Sequence, residues 1–213
     1  MATLESLRKQ VLQHSKSWIV IASAAISAAI IVYGVMQLTS LRIAHNEQAW
    51  LEAQINVLVP STMHDNDMLS DNITLNVPES FDTNDPVVIY RARRNGLPIA
   101  AVMHAIAPDG YGGPIELLVA VNYDGEILGV RILSHHETTG IGNAFESRES
   151  HWLHDFKGHS IHRPDSAGWN VRKDGGEFEQ FTSATITPRA IIKAVQRTLD
   201  FYQRHRDKVF AAS

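Results

Sequence analysis

The sequence predicts an α+β protein, with one N-terminal transmembrane helix followed by an exported domain that has an antiparallel sheet and flanking helices. Three observations carry this prediction. Residues 18–38 contain no charged side chain. Apolar runs in the middle of the chain are separated by Asn-Gly and Asp-Gly pairs, which are typical of β-hairpins. Near the C-terminus apolar residues recur at helical spacing, and strands followed by a helix favour an α+β domain.

The charge-free run predicts a membrane anchor. It is 21 residues long, and a bilayer core about 30 Å thick needs about 20 helical residues. A cleaved signal peptide has a shorter apolar region, of about 7–15 residues, and a small-residue cleavage site. Residues 39–42 read Thr-Ser-Leu-Arg and supply no such site. A buried core helix of this length normally has a polar face, so we expect an uncleaved anchor in the lipid bilayer.

The placement of basic residues predicts the orientation of the anchor. Arg8, Lys9 and Lys16 precede it, whereas after Arg42 no Lys or Arg follows until Arg91. The positive-inside rule therefore places residues 1–17 in the cytoplasm and the rest of the chain across the membrane. Beyond Arg42 the chain has 15 basic and 22 acidic residues, a net charge of −7. The formal net charge of the whole chain, −4, argues against general nucleic-acid binding.

The chain between the anchor and the sheet, residues 39–70, is expected to be a stalk helix and a linker. Residues 44–59 place apolar side chains three to four apart, Pro60 ends the helix, and residues 61–71 are polar. The exported domain proper is then residues 71–213.

Apolar runs in that domain predict at least four strands in two hairpins. They are residues 87–90, 99–107, 115–121 and 127–133. Asn95-Gly96 joins the first pair and Asp124-Gly125 the second. The basic group Arg91, Arg93 and Arg94 is expected to be solvated charge at a strand edge.

Two helices are expected after the strands. Residues 152–156 are expected to form a short helix. The C-terminal helix has one apolar face, made of Ile191, Ile192, Val195, Leu199 and Tyr202.

Composition excludes several chemistries. The chain has no cysteine, which removes disulfides, Cys-ligated zinc, iron–sulfur clusters and thiol catalysis. It contains no P-loop, no Gly-x-Ser-x-Gly and no Gly-x-Gly-x-x-Gly. Among the 11 histidines, His151 and His154, and His159 and His162, are three residues apart. We expect these to be solvated surface side chains, with no metal site.

The segment before the C-terminal helix is the strongest candidate for a functional site. Thr187 is a good N-cap and Pro188 suits the first helical position. Thr185 then lies just before a helix N-terminus, where free N–H groups favour an anion. Arg189 and Lys193 would add positive charge. These residues alone fit either a phosphate site or a capped helix after a polar loop.

This segment resembles the flavin-attachment motif of the FMN-binding domain family. That motif reads Asp-x-x-[Ser/Thr]-Gly-Ala-Thr, and its last threonine carries FMN through a phosphoester bond. Here Thr185 takes that place, preceded by Ala184 and Thr182. Ser183 stands where glycine is usual, and Glu179 where aspartate is usual.

The resemblance extends along the chain. Residues 107–113 (Ala-Pro-Asp-Gly-Tyr-Gly-Gly), the Asp124-Gly125 hairpin and residues 134–142 (Ser-His-His-Glu-Thr-Thr-Gly-Ile-Gly) occur in that order. Together they are similar to the G subunit of the Rnf/Rsx electron transport complex. The resemblance implies an inner-membrane anchor, a periplasmic domain with one covalent FMN, electron transfer coupled to ion translocation, other membrane subunits as partners, and a flavin transferase for maturation.

Two alternatives stay open. The C subunit of the sodium-pumping NADH:quinone reductase shares this flavin domain. A membrane-tethered metal-binding protein without flavin belongs to a different class.

The resemblance also implies a set of cofactor-binding residues. Tyr111 is expected to stack on the flavin ring, and Glu137 to accept an N–H or to orient its loop. No catalytic acid or base is assigned, since the redox chemistry belongs to the cofactor. The full set is Tyr111, Gly112, Glu137, Thr138, Gly140, Thr182, Ser183, Ala184, Thr185 and Thr187.

Overall fold

The computed structural model describes residues 2–77, 81, 86–138, 151–181 and 185–211. It divides the chain into two compact units, Met1–Leu51 and Glu52–Ser213. The first helix, α1, runs from Ala2 to Leu58 without interruption. It therefore joins the apolar run to the expected stalk helix and ends just before Pro60, which lacks the N–H that would continue it.

The apolar part of α1 has the length and composition needed to cross a membrane. Its large apolar side chains are exposed on all sides; Ile30 and Leu38, for example, are 66% and 78% exposed. Its hydroxyl groups bond back to its own carbonyls. The Ser27 hydroxyl donates to Ser23 O at 2.9 Å, and the Thr39 hydroxyl donates to Val35 O at 2.8 Å. These bonds lower the cost of placing hydroxyls in an apolar helix.

The described residues of the unit Glu52–Ser213 form a five-stranded antiparallel meander in the order β1-β2-β3-β4-β5. The strands are β1 Asn72–Leu75, β2 Val87–Arg94, β3 Leu97–Ala107, β4 Ile115–Asn122 and β5 Ile127–Ser134. Two 3-10 helices, Trp152–Phe156 and Arg172–Asp174, precede the C-terminal helix α2, Ile186–Phe210. The predicted α+β class, the two hairpins and both predicted helices are confirmed.

The hairpin turns use the backbone conformations that their sequences predict. Asn95 and Gly96 both have positive φ, +53° and +76°, as the twist of a two-residue hairpin requires. Gly125 has φ +91°, and its N–H donates to Asn122 O at 3.1 Å. The sequence did not predict β1. It has four residues and lies at the edge of the described sheet, where it pairs with β2.

The sheet is covered on both faces. One face carries the main core, in which Met103, Leu117 and Val119 are buried together with the predicted apolar face of α2. On the other face Val102, Leu118 and Ala120 are also fully buried. The last turns of α1 approach this second face. Leu58 Cδ2 lies only 2.9 Å from where a Cβ on Gly129 would be, so glycine permits this packing.

The expectation of solvated charge at the β2 edge is wrong for Arg91 and Arg93. Arg91 is 5% exposed and pairs with Asp71 at 2.5 Å, while Arg93 pairs with the same carboxylate at 2.9 Å. Arg91 Nη1 also donates to Ala211 O at 3.1 Å. The last carbonyls of a helix lack intrahelical donors and carry partial negative charge, so the end of α2 draws these guanidinium groups inward. Arg94 stays exposed.

The polar linker before β1 is bound to the same strand. The Asp65 N–H donates to Arg93 O, and the Arg91 N–H donates to Asp71 O, each at 2.9 Å. Asn66 bonds through both of its side-chain atoms, with Nδ2 donating to Arg91 O and Oδ1 accepting the Arg93 N–H. These contacts extend the pairing of β2 beyond the four residues of β1.

Candidate functional site

The N-terminus of α2 lies two residues earlier than the sequence predicts. Thr185 is the N-cap residue, with φ −115° and ψ −18°, and the helix begins at Ile186. The prediction of Thr187 as N-cap is therefore wrong, because its hydroxyl donates to a buried carboxylate instead. Pro188 occupies the third helical position, where its missing N–H leaves no bond unmade.

Thr185 is half-buried at this terminus. Within the described part of the chain its side chain makes no capping hydrogen bond. Threonine at an N-cap usually accepts a hydrogen bond from an N–H of the first turn. The Thr185 hydroxyl is thus not used in closing its own helix, and the first N–H groups of α2 retain their affinity for an anion.

Glu137 joins the start of α2 to the loop before β4. Its side chain is 7% exposed. Oε1 accepts the Gly112 N–H at 3.0 Å, and Oε2 accepts the hydroxyl of Thr187 at 2.7 Å. We call this arrangement the Glu137 bridge. A buried carboxylate must be hydrogen-bonded to be tolerated, and here both oxygens are. The N–H that Glu137 accepts is that of Gly112; its expected role toward the flavin stays a prediction.

The loop held by this bridge depends on glycine. A Cβ on Gly112 would lie 2.0 Å from His136 O, and one on Gly110 would lie 2.3 Å from Gly113 O. Real Cβ atoms do not approach so closely, so the loop lies against residues 136–137 only as a glycine loop. Tyr111, between two of these glycines, is 69% exposed. Its ring remains accessible to a ligand.

The two basic side chains expected to add positive charge near Thr185 are each paired with a carboxylate. Arg189 donates two hydrogen bonds to Asp174, at 2.6 and 2.9 Å, and Lys193 pairs with Asp109 at 3.3 Å. The hydrogen bond from Arg189 lowers the pKa of the Asp174 carboxyl. The Asp109–Lys193 pair ties the glycine loop to α2 at a second point. The anion preference of this end therefore comes mainly from the helix N–H groups.

The chain that leads into the site is held by Trp152, a residue that sequence reasoning did not assign to it. The indole N–H of Trp152 donates to Glu179 O at 2.7 Å. Its ring centroid lies 5.1 Å from that of Phe181, in an edge-to-face arrangement. Arg172 Nη1 also pairs with the Glu179 carboxylate at 2.5 Å. Nothing in the spacing of these aromatic residues distinguishes this anchor from an ordinary core contact.

The structure thus joins Thr187, Glu137 and Gly112. Thr185 lies two residues before Thr187 in the chain, and Tyr111, next to Gly112, is exposed. Thr138 follows Glu137 and is exposed. Thr182, Ser183, Ala184 and Gly140 lie outside the described residues.

The histidines form no metal centre in the part of the chain that the structure describes. There, no group of three or more His, Asp or Glu side chains is placed to hold an ion. The rings of His151 and His154 meet edge to face, with centroids 5.7 Å apart, and His159 Nε2 lies 3.5 Å from the Glu177 carboxylate.

Comparison with known proteins first defines the class of the domain. Residues 110–200 match the family described as FMN-binding domain. This range holds the glycine loop, the Glu137 bridge and Thr185, so these three features lie within a domain of that class.

Relatives that match most of the chain then identify the family. The G subunit of the ion-translocating oxidoreductase complex of Shewanella oneidensis is 40% identical, with 92% of each chain covered. The proteins of the same name from Aliivibrio fischeri strain ES114 and Vibrio parahaemolyticus are 39% and 41% identical, covering 91% and 82% of this chain and 92% and 82% of their own. The chain belongs to this family, the G subunits of ion-translocating oxidoreductase complexes. The resemblance to the G subunit of the Rnf/Rsx complex is confirmed.

Proposed function

We propose that this chain is the flavoprotein subunit of an ion-translocating redox complex and carries one FMN, joined by a phosphoester bond to Thr185 Oγ. The observation that supports the linkage best is the position of Thr185. It is the N-cap of α2 in an FMN-binding domain, and its side chain makes no capping bond to any described residue. A phosphate on this oxygen would lie at a helix N-terminus, where N–H groups and the helix dipole favour negative charge.

The residues around Thr185 suit a group held in this way. The Glu137 bridge fixes the first turn of α2 and the glycine loop relative to each other, so the attachment point and Tyr111 belong to one rigid frame. Tyr111 and Ile186 are 69% and 47% exposed, and together they offer aromatic and aliphatic surface to a flat ring. When bound, FMN supplies one- and two-electron transfer. The protein positions it and adjusts its surroundings, and no side chain is assigned as acid or base.

The same proposal includes a place in the membrane. Residues 18–38 cross the bacterial inner membrane with residues 1–17 in the cytoplasm, residues 39–70 form the stalk and linker, and residues 71–213 form the periplasmic FMN-binding domain. The exposed apolar side chains of α1 and the three basic residues before it support this arrangement. A covalent bond would keep a small soluble cofactor from being lost outside the cytoplasm.

The proposed partners are inferred from the names of the relatives. Those relatives are named as subunits of a complex, so we place this chain beside other membrane subunits. Electrons would pass through its flavin, and this electron transfer would be coupled to ion movement. A flavin transferase would install the FMN.

Attachment is tested by producing the full chain with and without a flavin transferase. We expect a fluorescent band on a denaturing gel only with the transferase, and an intact mass increased by one FMN less one water. Thr185→Ala should abolish both signals. Thr74→Ala, which alters an exposed threonine on β1, is the matched control and should retain them. A dark wild-type band beside active transferase, or full labelling of Thr185→Ala, contradicts the proposed linkage.

A further inference from the structure

A groove of about 520 Å³ follows the outer edge of β5, the last strand of the sheet. Five consecutive residues, 128–132, line it. Successive side chains of a strand point to opposite faces of the sheet. A groove lined by every residue in a row therefore lies beside the strand, along its backbone, and not over one face.

Among the described residues, the outer backbone edge of β5 is paired at its start. The Ile127 N–H donates to His159 O, and the Ile127 carbonyl accepts the Gly158 N–H, each at 2.8 Å. Along an antiparallel strand alternate residues turn their N–H and C=O groups outward. The pairing of β4 with β5 shifts register between Ala120 and Val121. After this shift, Val130 and Ile132 are the residues whose N–H and C=O groups point away from β4. No described backbone group bonds to this outer side of residues 128–132.

The groove has two walls, both within the unit Glu52–Ser213. The last turn of α1 contributes Val57 and Leu58, and the 3-10 helix Trp152–Phe156 with the residue after it contributes Leu153, His154 and Lys157. Val57 is 60% exposed. Gly129 allows the first wall to stand close to the strand. The result is an open slot with one apolar wall, a second wall that carries basic side chains, and a strand edge as its floor.

The charge of this slot differs from that of the domain. Arg131, His154 and Lys157 line it, and its described lining includes no Asp or Glu. Part of the Arg131 guanidinium is bonded to Gln54. The chain beyond Arg42 carries a net charge of −7, so the groove is basic whereas this part of the chain as a whole is acidic.

We propose that this groove binds an extended acidic segment of another member of the complex, which adds to β5 as a further strand. Backbone bonds to Val130 and Ile132 would supply affinity, and side-chain contacts with the walls would supply specificity. A segment of about five residues, at about 3.3 Å per residue, covers the edge. Its acidic side chains would meet Lys157 and Arg131, and its apolar ones Val57 and Leu153. That the partner belongs to the same complex rests on the proposed function.

The test is site-specific photo-cross-linking in the purified complex. Benzoylphenylalanine in place of Val57 should link to a second kind of polypeptide, and mass spectrometry should place the link in an acidic, extended segment. Benzoylphenylalanine in place of Leu97, which is 67% exposed and does not line the groove, should not link to that segment. Absence of any link at Val57 overturns the proposal, and the basic residues then serve to keep other strands away from an open edge. A link to residues 139–150 of the same chain, or to a second copy, also overturns it.

Charge reversal tests the electrostatic part. His154→Glu with Lys157→Glu should lower the cross-link yield at Val57 at least fivefold, whereas Lys173→Glu, on the exposed 3-10 helix Arg172–Asp174, should leave it unchanged. An unchanged yield in the double variant overturns the proposal. Flavin fluorescence of the same samples separates the two proposals, because failure of attachment at Thr185 removes that fluorescence and leaves the cross-link in place.

Discussion

Replacing Thr187 with valine tests the Glu137 bridge. Valine keeps the shape of threonine and removes the hydroxyl that donates to Glu137 Oε2 at 2.7 Å. A hydrogen bond to a charged group contributes about 1.5–3 kcal/mol, and its loss leaves a buried oxygen without that donor. Thr187 is fully buried, so water cannot readily replace the donor. We expect the free energy of unfolding to fall by about 1.5–3 kcal/mol.

Thr198→Val is the matched control on the same helix. Thr198 is equally buried, but its hydroxyl donates to the Ala194 carbonyl four residues earlier, at 2.8 Å. That carbonyl already accepts a backbone N–H within the helix, so removal of the hydroxyl leaves no buried charged group without a donor. We expect a loss of about 1 kcal/mol or less, as for a neutral hydrogen bond.

The assay is urea unfolding of the full chain in detergent, produced without transferase and followed by the fluorescence of the buried Trp152 and Trp169. If Thr187→Val and Thr198→Val lower the free energy of unfolding equally, the reasoning is refuted, because the hydrogen bond to Glu137 would then contribute no more than a neutral hydrogen bond. Produced with transferase, Thr187→Val should also label more slowly than Thr198→Val, since the first turn of α2 would lose its tie to the glycine loop.

Three further predictions concern other parts of the domain. Arg91→Ala should destabilise the domain by about 3–5 kcal/mol, because a buried charge pair and the donors to the end of α2 are lost. Arg94→Ala should change its stability by about 0.5 kcal/mol at most. Comparison of the melting temperatures of the two variants checks this. Arg189 holds the pKa of Asp174 below its unfolded value. The ion pair therefore stabilises the fold above about pH 4, and this stabilisation is lost as the pH falls through the lowered pKa. NMR titration of the carboxyl group should show that the pKa of Asp174 rises in Arg189→Gln. Gly112→Ala should cost more than about 3 kcal/mol in urea unfolding, because its new Cβ would meet a backbone carbonyl at 2.0 Å; a loss below about 1 kcal/mol would show that the loop shifts freely.

The elements that could be predicted from the sequence are those with local causes. Asn95-Gly96 predicts a turn because the required positive φ is cheap for these residues, and the spacing of the apolar face of α2 follows from the geometry of one helix. β1 escaped prediction because a four-residue edge strand carries too short a pattern. The surroundings of Arg91 escaped prediction because its partner carbonyl is 120 residues away.

The features of the candidate site likewise divide into those that the sequence determined and those that the tertiary structure decided. The sequence by itself determined the α+β class, an apolar segment long enough for a membrane, and the resemblance that makes Thr185 the candidate for flavin attachment. Only the tertiary structure decided that α2 begins at Ile186, and that one carboxylate joins Gly112, 25 residues before it, to Thr187, 50 residues after it. The physical reason is that a threonine hydroxyl can cap its own helix or donate to a distant group. The choice depends on whether packing brings a buried acceptor within reach.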